Sequence, residues 1–264
     1  MIARWRPNRR LPLFWRDLGF VLIAGAVLSG CASLQGGAKS GFTSDSRLRV
    51  AEAAEQSGDK DMAASQFAAA AEASPEDTAT QIAAAGGLAR AGKWPAARDL
   101  LTVRLKAHPN DPNLLRALAS LHLLAGQFGP AIARLDQALA VAPSDTNALV
   151  DKAVALDLQH RHAEAQRLYR RALAILPDDP VISNDLAVSL MIEGRIREAQ
   201  DVLAPFADSD TVPERLKNNL GILFAANGDT EDSRRMLEGR LADADLTALT
   251  HALTVAGTAP GRTP

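Results

Sequence analysis

The stretch AIARLDQALAVA, residues 131–142, places Ile132, Leu135 and Leu139 three and four residues apart, the spacing of one helix face. Similar alternations of apolar and polar positions fill the chain from about residue 44 to residue 247. Breaks fall at regular intervals. Pro75, Pro109, Pro143 and Pro177 are each 34 residues apart, in EASPED, AHPND, VAPSD and ILPDD. Placing proline at position 32 of a repeat gives six units, 44–77, 78–111, 112–145, 146–179, 180–213 and 214–247. The pattern predicts two helices per unit.

Positions not used to set the register agree with it. Position 8 is small throughout: Ala51, Ala85, Ala119, Ala153, Ala187 and Gly221. Position 20 is small too: Ala63, Ala97, Ala131, Ala165, Ala199 and Ser233. Position 24 is large and apolar: Phe67, Leu101, Leu135, Tyr169, Leu203 and Leu237. Position 15 is glycine except in the fourth unit, which has His160. Small residues let two helices approach, and the large one fills the space between them. Glycine can end a helix in the left-handed conformation, and the later proline stops the second helix. Pro95 and Pro130 are expected near the start of second helices. Ser144-Asp145 and Asp178-Asp179 are placed to cap the helices that follow. Pro205 should stop or kink its helix near Ala204. Residues 248–255 could form a capping helix, and residues 256–264 read as a disordered tail.

A 34-residue period of helix pairs with these small, large and turn positions resembles the tetratricopeptide repeat. The resemblance implies an all-α solenoid whose first helices line a concave face. It implies a groove built from positions 2, 5, 9, 12 and 13. Here those positions give Asn147, Val150, Val154, Leu158, Asn184, Val188, Met191, Ile192, Asn218 and Ile222, with Asn113, Leu123 and Leu124 from the third unit. Amides can hydrogen-bond a bound peptide backbone while apolar groups accept its side chains. The alternative is that several of these residues only pack against neighbouring helices. In the first units the same positions hold Glu52, Glu55, Gln56 and Arg90, read as a solvated face.

The N-terminus has a different pattern. Arg4, Arg6, Arg9, Arg10 and Arg16 precede an apolar run from Leu18 to Leu28. About 20 apolar residues are needed to span a bilayer, so this run reads as the core of a secretory signal. Leu28-Ser29-Gly30-Cys31 then resembles a bacterial lipobox. That resemblance implies cleavage after residue 30, diacylation of the Cys31 thiol and acylation of the new amine. Ala32 in place of an aspartate implies the outer membrane, facing the periplasm. Residues 31–43 then read as the lipidated cysteine and a glycine-rich tether, reaching about 20 Å.

Charge and chemistry narrow the function. Without residues 1–30 the chain has 24 basic and 30 acidic residues, so no basic field is available for nucleic acid. Neither a nucleophile elbow nor a phosphate-binding glycine loop is present, so no catalytic residue and no cofactor is assigned. His160, His162 and Glu164 could bind zinc only if they converged, and the repeat register puts them at a turn. His122 and Trp94 are read as packing residues.

Lipobox, short tether and about six repeats together resemble the TadD family, the lipoproteins of the tight-adherence (Flp) pilus assembly system. The resemblance implies an outer-membrane scaffold that helps a pilus secretion machine assemble, with protein or peptide partners such as the secretin. Pilotins of type IV pili share the plan. A lipoprotein of general envelope maintenance is the alternative within the same binding class, and an enzyme with its site in the groove is the alternative outside it.

Overall fold

A computed structural model describes residues 43–209 and 211–237. The signal, lipobox and tether calls, apart from Thr43, lie outside the described residues, as do the capping helix and the tail. The described residues form twelve α-helices and no strand. They run in pairs: α1 (Ser44–Gln56) with α2 (Lys60–Ala73), α3 (Thr78–Arg90) with α4 (Trp94–Ala107), and α5 (Pro112–Leu124) with α6 (Phe128–Val141). Next come α7 (Thr146–Asp157) with α8 (His162–Ile175), α9 (Pro180–Ile192) with α10 (Ile196–Leu203), and α11 (Glu214–Asn227) with α12 (Thr230–Leu237).

Each helix packs on the next in sequence, and each odd-numbered helix also packs on the next odd-numbered one. The odd-numbered helices therefore form one continuous layer of a helix-pair solenoid.

The periodic residues account for this packing. The alanines at positions 8 and 20 are at most 1% exposed in the first five units, at the points where paired helices meet. Phe67, Leu101, Leu135, Tyr169, Leu203 and Leu237 are all buried between them. Replacing such an alanine with a larger residue would force the helices apart, at a cost of about 1–3 kcal/mol. In the last unit Gly221 takes the place of alanine, and a Cβ there would lie 2.5 Å from Leu237 Cγ.

The turns have a common design. Gly58, Gly92, Gly126, Gly194 and Gly228 all have φ between 70° and 85°. His160, with φ of 60°, is the only other residue at positive φ among those described. At each turn the next N–H reaches back to close the helix, as Arg161 N–H does to Leu156 O at 2.9 Å.

At helix starts the chain chooses between adjacent candidates. Asp145 and Asp179 accept first-turn N–H groups, so they rather than Ser144 and Asp178 are the caps. Pro95 is the second residue of α4 and Pro130 the third of α6, where a missing N–H costs nothing. Helix α10 stops at Leu203, as Pro205 requires, and a single 3-10 turn (Ala204–Phe206) follows. Phe206 packs half-buried on the C-terminal core.

Candidate functional site on the inner helix layer

The odd-numbered helices present the residues expected in a groove, but burial divides them into two sets. Asn147 is exposed on the first turn of α7. Leu158 is 50% exposed and Ile192 60% exposed. Val188 and Ile222 are half-buried. Val150, Val154 and Met191 are half-buried as well, and they pack against the C-terminal core. Asn184 is only 3% exposed. In the third unit, Asn113 is exposed, Leu123 packs on a small alanine-rich cluster, and Leu124 is 64% exposed.

The asparagines have different surroundings. Asn184 accepts a hydrogen bond from Asn219 Nδ2 at 2.7 Å and donates to Asp185 Oδ1 at 3.4 Å. It therefore ties α9 to α11. Asn218 Oδ1 is buried with no hydrogen-bond partner among the described residues.

Next to these positions runs a polar seam whose carboxylates the groove positions do not include. Asp151 lies 3.8 Å from Arg116, and Asp185 lies 3.5 Å from Arg215. Burial pushes both carboxyls above the ordinary range, and the neighbouring arginines offset part of that. Both aspartates sit at position 6, one residue beyond the expected groove position. Helical period alone could have flagged them, because residues one apart point only about 100° apart around the axis.

A second polar cluster links α7, α8, α9 and the turn after α9. Ser189 Oγ donates to Asp157 Oδ1 at 2.8 Å, and His162 Nδ1 bonds the same oxygen at 2.8 Å. Gln166 Nε2 donates to Glu193 Oε2 at 2.8 Å, while its oxygen accepts from Arg195 at 2.6 Å. Serine, histidine and aspartate are the residues of a hydrolytic triad, but the order of contacts differs. Here the serine hydroxyl is held by the carboxylate and not by the imidazole. Burial, and then the Asp157 and Asp185 charges, push the Tyr169 phenol up, which keeps it neutral. The cluster acts as a seam between repeats.

The remaining chemistry-bearing residues are dispersed. His160 and His162 have ring centroids 5.9 Å apart, edge to face. Among the described residues no group of three His, Cys, Asp or Glu is placed to hold a metal ion. His122 is half-buried and bonds Gln127 Oε1 at 2.8 Å. Trp94 is 40% exposed at the first residue of α4, so the packing expected of it is only partial. At the N-terminal end Arg90 pairs with Glu55 at 2.5 Å and lies over the Phe67 ring at 5.9 Å. This pair holds the Glu55 carboxyl below the ordinary range.

Two sequence models of the tetratricopeptide repeat match the chain, over residues 116–180 and 158–217. The fold is a tetratricopeptide-repeat solenoid. Its solved neighbours include PilW, described as a widely conserved type IV pilus biogenesis factor. The two share 16% identity with a TM-score of 0.62, over 80% of this chain and 98% of PilW. PilF of Pseudomonas aeruginosa matches with 17% identity and a TM-score of 0.58, over 78% of this chain and 96% of PilF. YrrB, described as having an unusual peptide-binding site, matches with 17% identity and a TM-score of 0.52, over 72% of this chain and 97% of YrrB. At such identities the likeness is one of fold. No curated protein sequence matches the chain. As a tetratricopeptide solenoid, the protein presents its α7, α9 and α11 side chains on the layer where ligand contact is expected.

Proposed function

We propose that this protein is a lipid-anchored interaction scaffold of the outer membrane that helps a pilus secretion machine assemble. The tight-adherence (Flp) system is the one it fits, and the secretin is the client. The observation that carries this reading is the match in extent. The solenoid matches 98% of the solved PilW chain and 96% of the solved PilF chain. The lipobox at Leu28-Ser29-Gly30-Cys31 supplies the anchor, and residues 31–43 supply the reach.

The role is binding and not catalysis. Asn147 and the partly exposed apolar residues of α7, α9 and α11 are the means of holding a partner segment. An extended or helical segment of the client would rest its apolar side chains there and give an N–H group to the Asn147 amide oxygen.

The test is the state of the secretin in cells lacking the protein. Loss of assembled outer-membrane secretin, restored by the wild-type gene and not by Cys31→Ser, is the expected result. Secretin that assembles normally in its absence, while general outer-membrane protein assembly fails, would point to the envelope-maintenance role.

A further inference from the structure

One outer helix carries positive charge that its surroundings leave without a hydrogen-bonded partner. Arg167, Arg170 and Arg171 stand at i, i+3 and i+4 on α8, so they share one face, and all three are exposed. They occupy positions 22, 25 and 26 of the fourth unit. Those positions hold no base in the first, second, third or fifth unit, so the solenoid does not need one there. The helix dipole favours bases in the last turn only, and Arg167 is the sixth of fourteen residues.

The acids nearest to the arginines are engaged elsewhere. Glu164 lies 3.9 Å from Arg167, but Arg161 bonds both of its oxygens, at 2.7 and 2.9 Å. Glu198 lies 3.9 Å from Arg170, but Arg195 bonds both of its oxygens, at 2.7 and 2.5 Å. Arg171 donates to the Pro143 carbonyl, a neutral group. Arg167 and Arg170 therefore keep their N–H groups free of hydrogen bonds among the described residues. A free guanidinium fork suits a carboxylate or a phosphate, which it can bind through two N–H groups at once.

Shape decides between two kinds of anionic partner. The flanking outer helices carry exposed acids, Asp136 on α6 and Glu198 and Asp201 on α10. A flat anionic surface, such as a bilayer, would press its own charges against these acids. A single segment laid along α8 would meet the arginines without them. Ile175, 42% exposed and one turn beyond Arg171, extends the same face with an apolar contact.

We infer that the outer face of α8, with Arg167, Arg170, Arg171 and Ile175, docks an acidic segment of a partner protein. That segment has carboxylates one helical turn apart and an apolar residue one turn further on. The contact lies on the other helix layer from the groove, and neither the anchor nor the secretin reading bears on it.

The test uses a fluorescent synthetic peptide of about four helical turns, with glutamates at this spacing and one leucine beyond them. Its anisotropy is titrated with the full-length Cys31→Ser chain. Saturable binding is expected, weakened about tenfold when salt rises from about 0.05 M to about 0.5 M. A peptide with glutamine in place of each glutamate should not bind. Arg167→Gln with Arg170→Gln should weaken binding about tenfold with unchanged melting. Arg49→Gln with Lys106→Gln removes the same charge from exposed sites on α1 and α4 and should leave binding unchanged. Arg167→Glu with Arg170→Glu should instead bind a peptide with lysine in place of each glutamate, a gain that misfolding cannot produce.

Absence of saturable binding overturns the inference. So do equal binding of the glutamine peptide, an equal loss in the Arg49 and Lys106 variant, and failure of the charge exchange. Co-sedimentation with phosphatidylglycerol vesicles, without binding of the peptide, would give the face to a membrane and overturn the acidic segment. Binding lost in Asn147→Ala but kept in the Arg167 and Arg170 variant would move the peptide to the inner layer and overturn the α8 face.

Discussion

Gly87 lies directly against Phe67. A Cβ built on Gly87 would sit 2.2 Å from Phe67 Cε2, and the Phe67 ring is only 1% exposed. The first unit has the only phenylalanine at position 24, and the helix that receives its ring has glycine where it presses. Gly87→Ala should therefore destabilise by about 2 kcal/mol, although alanine favours a helix interior by about 1 kcal/mol. The neighbouring Gly86 has only Arg90 Nη1 at 3.5 Å, an ordinary contact. Gly86→Ala should stabilise by up to about 1 kcal/mol. Urea titration of both variants gives the contrast. Equal shifts of one sign would rule out the packing account.

His160 occupies a turn that five sister units give to glycine. His160→Gly removes a left-handed backbone strain of about 1–2 kcal/mol and adds unfolded-state entropy of about half that. A net gain of about 0.5–1 kcal/mol is expected in thermal melts. A loss of stability would mean that the imidazole contributes more through its contacts than its backbone costs.

The fold was legible because each repeat position has a distinct physical role. A small residue, a large one, a turn glycine and a proline recur at fixed offsets, and any one set checks the others. The break at Pro205 was legible for the same reason, since a missing N–H acts through local backbone alone. The site was less legible. Asn184 and Asn147 both fall at expected groove positions, yet Asn184 is buried against Asn219 and Asn147 is exposed. That difference depends on the next helix across, which no single-helix pattern contains. The cap choice between Ser144 and Asp145 depended on one residue of phase, which the proline period did not fix.

Asp185 gives a pH signature. Burial raises its carboxyl above the ordinary value, with Arg215 and Asn184 pulling the other way. A group raised in the folded state binds its proton more tightly there than in the unfolded chain. Its contribution to stability is therefore complete below the unfolded value and is lost as pH rises through the folded one. Asp185→Asn should be more stable than wild type near about pH 7 and should converge with it near about pH 3. Denaturation midpoints at both pH values report this. A variant equally destabilised at both would show that the pairing with Arg215, and not burial, governs the site.

Cys31→Ser tests the anchor separately from the solenoid. The variant should melt like wild type and fractionate as a soluble periplasmic protein. Retention in the outer membrane would assign the attachment to another part of the chain.

Contact with the secretin is the centre of the functional account. Asn147, exposed on α7, is a suitable position for a photo-crosslinking residue in living cells. The expected result is a crosslink to the secretin, weakened by Leu158→Glu and absent from an exposed outer-helix position such as Val103. A crosslink confined to other envelope proteins, with the secretin never captured, would contradict the account.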